Sequence, residues 1–284
     1  MGGMDTELKS LPPIFTSQLF PLLEAKLIDL LRGLSREDWE KQTLAPKWKV
    51  KDVAAHLLDT QTRGLAAVRR GYKPENSKKL TPDKLLSLIN TLNAEGVRVY
   101  GSLSPEALIS RMEAASRELT DYVQTLDPFA PAVFPVSWAG DEQSTNWFHI
   151  AREFTERWHH QQQIRLAVNK PGIMTRDFYF PVLDCFMRAL PHTYRNVEAK
   201  PGSLAQINVS GECGGSWYLL RDGDGWKLIA SPVGEKISET TIPQEIAWRV
   251  FTTGIAREEA RSQVRVTGEE STALQILNMI SIVG

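Results

Sequence analysis

Cysteine is scarce. Cys185 and Cys213 are the two in 284 residues and stand 28 positions apart. This excludes a CxxC redox pair, a cysteine-rich metal site and a disulfide-stapled scaffold, and it fits a reducing cytoplasm. A charge excess is equally missing: 33 basic residues face 34 acidic ones, a net of −1. Nothing electrostatic therefore recruits a nucleic acid or a membrane surface. No apolar run approaches the roughly 18 residues that span a bilayer. The opening MGGMDTELKS also lacks the basic and apolar regions of an export signal. What remains is a composition of 42% hydrophobic and 24% charged residues, close to the globular average and long enough for one large domain or two. A local site for a small-molecule substrate is the expectation, in a monomer or homodimer.

The first two thirds of the chain reads as helical. Leu19, Leu22, Leu23, Leu27, Leu30 and Leu31 recur at spacings of three and four, and Gly33 ends the pattern. Val53, Ala54, Leu57, Leu58, Leu65 and Val68 line a second helix over about 50–70, separated from the first by a connection, 35–49. Thr81-Pro82-Asp83 and Ser104-Pro105-Glu106 each place a capping residue before a proline, opening helices that run past Leu92 and to about Leu126. Prolines 128, 131 and 135 with Gly140 predict a long loop over 127–146. Helices are expected again over about 145–168 and 175–190.

After Pro201 and Gly202 the period changes to two. Ala205, Ile207 and Val209 alternate with polar neighbours, as in a half-buried strand. Asp222-Gly223-Asp224-Gly225 predicts a hairpin between strands 216–221 and 226–230. A helix over 243–253, a strand over 263–267 and a final helix over 270–282 complete the reading. The expected architecture is an all-α N-terminal domain, residues 1–198, and a small α+β C-terminal domain, residues 199–284.

Three of the five histidines have an acidic residue four positions away: Asp52/His56, His149/Glu153 and Glu156/His160. Chance alone supplies about one such pair, so the arrangement matters more than the count. His149, Glu153, Glu156 and His160 follow spacings of four, three and four, placing them within roughly a 60° arc of one helix. Trp147, Ile150, Phe154 and Trp158 cluster on an adjacent apolar direction. Two readings stand for this stripe. It is a set of ion pairs on a solvated face, or it supplies imidazole and carboxylate ligands for zinc or another first-row divalent metal at a core margin. His56, among alanines and leucines, is either a hydrogen-bonded core residue or a third ligand. His149 and His159 read as solvated or structural.

Two motifs resemble those of a known family. Trp48-x-Val50-x-Asp52-Val53-x-x-His56-Leu57 is similar to the W-x-V-x-D-V-x-x-H-L motif of the mycothiol-dependent maleylpyruvate isomerases, in the DinB-like metalloprotein superfamily. Glu156-x-Trp158-x-His160 is similar to their E-x-W-x-H motif, and the region after 200 looks like their C-terminal domain. The resemblance implies a DinB-like four-helix bundle in which His56, Glu156 and His160 bind a divalent metal, zinc or an alternative such as nickel. It also implies a low-molecular-weight thiol such as mycothiol as cofactor. Two departures stand out. Family members often carry an aspartate three residues after the last motif histidine, where this chain has Gln163. The family's C-terminal Gly-Arg is here Gly254-Ile255. The second departure questions the substrate, unless Arg249 or Arg257 supplies the missing cation.

Two neutral imidazoles and one carboxylate leave a divalent ion an open position, as in catalytic zinc sites. A thiol bound there loses its proton and becomes a nucleophile at neutral pH. The expected activity is thus a thiol-dependent isomerase or transferase. A hydrolase using bound hydroxide and a non-catalytic ligand-binding or stress-response protein are the alternatives. Glu153, one turn from Glu156, has three candidate roles: orienting a ligand, carrying a proton as a catalytic residue, or replacing Glu156 on the metal.

Overall fold

The computed structural model describes residues 9–71 and 82–281. Contacts divide the chain into two compact units. Of the described residues, one holds Phe15–Ser137 and Asp141–Val182; the other holds 9–14, Trp138–Gly140 and 183–281.

The first unit is helical: α1 (Phe20–Arg32), α2 (Arg36–Trp39), α3 (Val50–Arg69), α4 (Pro82–Tyr100), α5 (Pro105–Thr125) and α6 (Asn146–Val168). α3 packs against α4, α5 and α6, while α1 packs against α5 and α6. One apolar cluster joins Leu27 and Leu31 of α1, Trp39 of α2, Val53, Leu57 and Leu58 of α3, Leu108 and Met112 of α5, and Ile164 and Val168 of α6. The sequence-based helix positions hold to within a few residues, and Ser104 caps α5 by accepting from the Ala107 N–H. The expected Thr81 cap lies outside the described residues. The short helix α2, inside what the sequence presents as a connection, has its own signal: Ser35 and Asp38 form a reciprocal capping box.

The proline-rich stretch after α5 is an irregular loop with a 3₁₀ turn, Ser137–Ala139. Its backbone is tied down: the Ala132 N–H donates to Ser144 O at 2.8 Å and the Trp147 N–H to Pro128 O at 2.8 Å. These bonds set where α6 begins. At its other end Asn169 takes φ 53° and closes the helix in the left-handed conformation.

The chain then forms α7 (Arg176–Met187), with Pro181 inside it, and α8 (Leu190–Tyr194). Five strands follow in part: β1 (Ser203–Ser210), β2 (Gly215–Arg221), β3 (Trp226–Ile229), β4 (Glu235–Pro243) and β5 (Arg265–Gly268), with α9 (Gln244–Phe251) and α10 (Arg257–Gln263) between the last two, and α11 (Glu270–Leu274) last. The sheet order is β3-β2-β1-β4-β5, with β1 and β4 parallel and the other pairs antiparallel. The hairpin is as expected, Arg221 pairing with Trp226 and the Asp222 N–H donating to Gly225 O.

The sequence reading misses β4, whose Ile237, Thr240 and Ile242 are spaced by threonines and charges rather than by a clean apolar alternation. It also misses α10, which has one buried residue, Ala260. The helix expected over 175–190 breaks after Met187 into two. The last helix is shorter than expected: α11 tightens into a 3₁₀ turn over Gln275–Asn278, and Ile282 lies outside the described residues. Among the described residues, no helix is long and apolar enough to cross a membrane.

Trp158 anchors α6. It is fully buried, its ring stacks on Tyr179 with centroids 4.5 Å apart and planes 2° from parallel, and its indole N–H donates to Ile173 O at 3.0 Å. Replacing Trp158 with alanine is expected to cost about 3–5 kcal/mol of stability, measured as a shift of the urea unfolding midpoint.

Candidate metal centre

The middle of α6 is buried on every side. Arg157 to Arg165 are nine consecutive buried residues, and seven of them are polar: Arg157, His159, His160, Gln161, Gln162, Gln163 and Arg165. A polar helix buried in this way needs partners, because each unmet donor or acceptor costs about 1–3 kcal/mol.

Arg157 meets two carboxylates. Its Nε lies 3.3 Å from Glu24 Oε1 of α1, and its Nη1 donates to Glu153 Oε2 at 2.8 Å and to Glu153 O at 2.9 Å. The guanidinium also lies over the Phe20 ring, 5.5 Å from its centroid. Glu24 in turn accepts from Ser116 Oγ of α5 at 2.8 Å and from Gln61 Nε2 of α3 at 3.3 Å. One buried polar residue from each of α1, α3, α5 and α6 thus meets at a single point. Burial raises the Glu24 carboxyl above its ordinary range, and Arg157, Ser116 and Gln61 offset part of that rise.

His56 and His160 come together on the same face of the helical unit. Their ring centroids are 4.6 Å apart, edge to face, and Trp48 lies 4.7 Å from His56 and 6.3 Å from His160. The tryptophan and histidine of the first motif are thus brought against the histidine of the second. His160 Nε2 stands 3.7 Å from Glu156 Oε2, and His160 Nδ1 bonds Gln163 Oε1 at 2.9 Å. His56 Nδ1 is buried without a hydrogen-bond partner.

Burial, with smaller contributions from His160 and Arg63, pushes His56 well below the ordinary imidazole range. Burial brings His160 down to about 4, against a raising hydrogen bond to Gln163. Both rings are therefore neutral at pH 7. Burial also raises Glu156 to about 7, with Glu153 adding to the rise and Arg152 and Arg157 opposing it. Two neutral imidazoles, one with an orphaned nitrogen, and a neighbouring carboxylate are a donor set that fits a first-row divalent ion. Among the described residues, no three His, Cys, Asp or Glu side chains are already grouped closely enough to hold one.

Glu153 lies on the same stripe but faces other partners. Burial alone would raise its carboxyl, yet Arg152 and Arg157 outweigh burial and hold it well below the usual carboxylate range. It accepts from Arg152 at 2.5 Å, and Arg152 also bonds His149 Nδ1 at 3.0 Å. His159 is buried, and His149 is half-buried; neither is solvated. Of the two arginines weighed at the C-terminal departure, Arg249 donates from Nε to Gly254 O at 3.2 Å, and Arg257 is exposed.

Sequence reasoning misses Glu24, Gln61 and Ser116 as partners of this region. A signal was present: each interrupts the apolar face of its helix, Glu24 beside Leu23 and Leu27, Gln61 between Leu58 and Leu65, Ser116 between Met112 and Leu119.

Residues 20–165 match the family model described as the mycothiol maleylpyruvate isomerase N-terminal domain. Among solved structures, the chain is similar to the crystal structure of the mycothiol-dependent maleylpyruvate isomerase, with 13% identity and a TM-score of 0.45 over 89% of this chain and 92% of that one. A mutant of that enzyme gives the same identity and coverage at a TM-score of 0.44. Sterol carrier protein 2 from Yarrowia lipolytica is similar over 37% of this chain and 92% of its own, with 16% identity and a TM-score of 0.28. No curated protein matches.

Two outcomes test this electrostatic arrangement. Arg157→Met is expected to destabilise the protein by about 3–5 kcal/mol, because it leaves buried Glu24 uncompensated. Adding Glu24→Gln should recover part of that loss, and strictly additive unfolding energies would show that the two groups are not coupled.

The second outcome concerns acid. Burial, with Arg152 opposing protonation, lowers His149 to about 4, Glu153 pulling the other way. Its contribution is complete above the unfolded value near 6.5 and is lost as pH falls toward 4, since the unfolded chain binds the proton first. His149→Gln, which keeps an acceptor for Arg152, should lose less stability than the parent between pH 7 and 4, as followed by thermal melts.

Proposed function

The chain belongs to the mycothiol maleylpyruvate isomerase N-terminal domain family, and on that premise we propose that it is a divalent-metal-dependent enzyme, a low-molecular-weight-thiol-dependent isomerase or transferase. The observation that carries the reading is the meeting of His56 and His160, from two helices 104 positions apart in sequence, at 4.6 Å beside Glu156 and Trp48. In this reading α1, α3, α5 and α6 form a DinB-like four-helix bundle over residues 1–198. Residues 199–284 are a C-terminal α+β domain.

His56, Glu156 and His160 would hold the metal, zinc or another ion such as nickel. A bound divalent ion supplies Lewis acidity, lowering the pKa of a thiol that reaches it so that thiolate is available at neutral pH. The chain's own groups prepare for this. Burial keeps both imidazoles unprotonated, so their lone pairs are free for a cation. Trp48 packs beside the His56 ring and near that of His160, an aromatic wall on one side of the pair. Arg157 and Arg152 hold Glu153 ionised, and Glu153 fixes their guanidinium groups one turn from Glu156. We assign Glu153 this orienting role among the three open to it. The nucleophile comes from the thiol cofactor, such as mycothiol, so no protein cysteine is required. The substrate is a small electron-poor molecule, and the loss of arginine at Ile255 points to one other than maleylpyruvate.

Elemental analysis of protein purified without chelator or affinity tag tests the metal reading. We expect one divalent ion per chain, absent from the His56→Ala/His160→Ala double variant, together with turnover of electron-poor alkenes that requires added thiol. Full metal occupancy in the double variant would overturn the ligand assignment, and turnover without thiol would overturn the thiol chemistry.

A further inference from the structure

Histidine offers two ring nitrogens, and a neutral ring has one lone pair to give. Which nitrogen has it depends on the hydrogen bond made by the other. At His160 that bond is explicit: Nδ1 lies 2.9 Å from Gln163 Oε1, and both side chains are buried. An amide oxygen only accepts, so Nδ1 carries the hydrogen and Nε2 carries the lone pair. Nε2 is the nitrogen that faces Glu156, 3.7 Å away. The spacing of three along α6 puts the two side chains on neighbouring positions of one helix face, so the pairing needs no long-range contact to form. His56 is different, since its buried Nδ1 has no such partner.

We propose that Gln163 is a positioning residue that fixes His160 as the Nδ1–H tautomer and thereby presents Nε2 to a divalent metal shared with Glu156 and His56. The inference rests on the metal reading above. Its first half, the tautomer, holds for the metal-free protein as well. Gln163 does this without charge. An acidic residue at the same place would make the same bond and subtract one unit of charge from the site, so Gln163 would orient the ligand without adding negative charge there.

Two measurements separate the halves. Long-range proton–nitrogen correlation spectra of the chelator-treated, unsubstituted protein should show His160 with a protonated Nδ1 and a bare Nε2; the opposite tautomer would overturn the proposal. Zinc affinity, measured by competition with a chromogenic chelator, should fall about 10–100-fold in Gln163→Leu and be restored in Gln163→Glu, which keeps an acceptor. A Gln163→Leu variant that binds zinc as tightly as the parent, or a Gln163→Glu variant as weak as Gln163→Leu, would also overturn it. Failure of the unsubstituted protein to take up zinc refutes the metal reading and with it the metal half of this proposal. The spectra then decide the tautomer on their own.

Discussion

The helical unit is organised around a buried cation. Arg157 sits inside α6 where burial permits no solvent, and it is stable there because carboxylates reach it from two directions, Glu24 of α1 and Glu153 of its own helix. A charge so placed is tolerated only with close partners. Its presence therefore dictates where α1 lies against α6, and the Gln61 and Ser116 contacts to Glu24 extend that constraint to α3 and α5. His56 is on α3 and His160 is on α6, less than one turn beyond Arg157. The ion pair thus fixes the approach of the two helices that carry the paired imidazoles.

The same helix gives up amphipathicity through its centre. α6 has no solvent face through its centre, and its nine-residue buried run is mostly polar. Within that run its apolar anchors are Trp158 and Ile164, with Phe148, Ile150, Phe154 and Val168 buried on either side. Trp158 stacked on Tyr179 supplies dispersion and a satisfied indole N–H together. The polar remainder is free to be chosen for chemistry and for hydrogen bonding within the unit.

Much of this was legible in the sequence, for identifiable reasons. Helix positions follow from leucine spacing, caps and prolines, all of which act locally. Glu156 and His160 fall on one face because a spacing of four along a helix translates directly into a shared face, whereas His56, on another helix, was singled out through the resemblance of its motif. For Glu24, Gln61 and Ser116 the local signal went no further than a polar residue interrupting an apolar face; that the three meet depends on helices packing at particular rotations, which no local pattern encodes. The histidine stripe keeps ion pairs, Glu153 with Arg152 and Arg157, but His160 is buried and the other three are half-buried: a mixed polar sequence reads as surface unless the partners that bury it are known. In the C-terminal region β4 escaped notice because its alternation is carried by threonines, which fit a pleated surface without announcing a buried face. The last helix was overdrawn because its apolar periodicity continues through Leu274 and Ile276 while the backbone tightens.

The order of strands has a consequence for how the chain assembles. β1, β2 and β3 are neighbours in sequence and in the sheet, so this meander forms from short-range pairings. β4 does not extend it at the β3 edge but returns to lie parallel beside β1, and β5 pairs with β4 only after two intervening helices. Loop closure must precede that central pairing, an entropic cost that the meander's short-range pairings largely avoid. During synthesis, the β1 edge therefore waits with its backbone groups unpaired until β4 has emerged. That interval is when this region is most open to pairing with another chain.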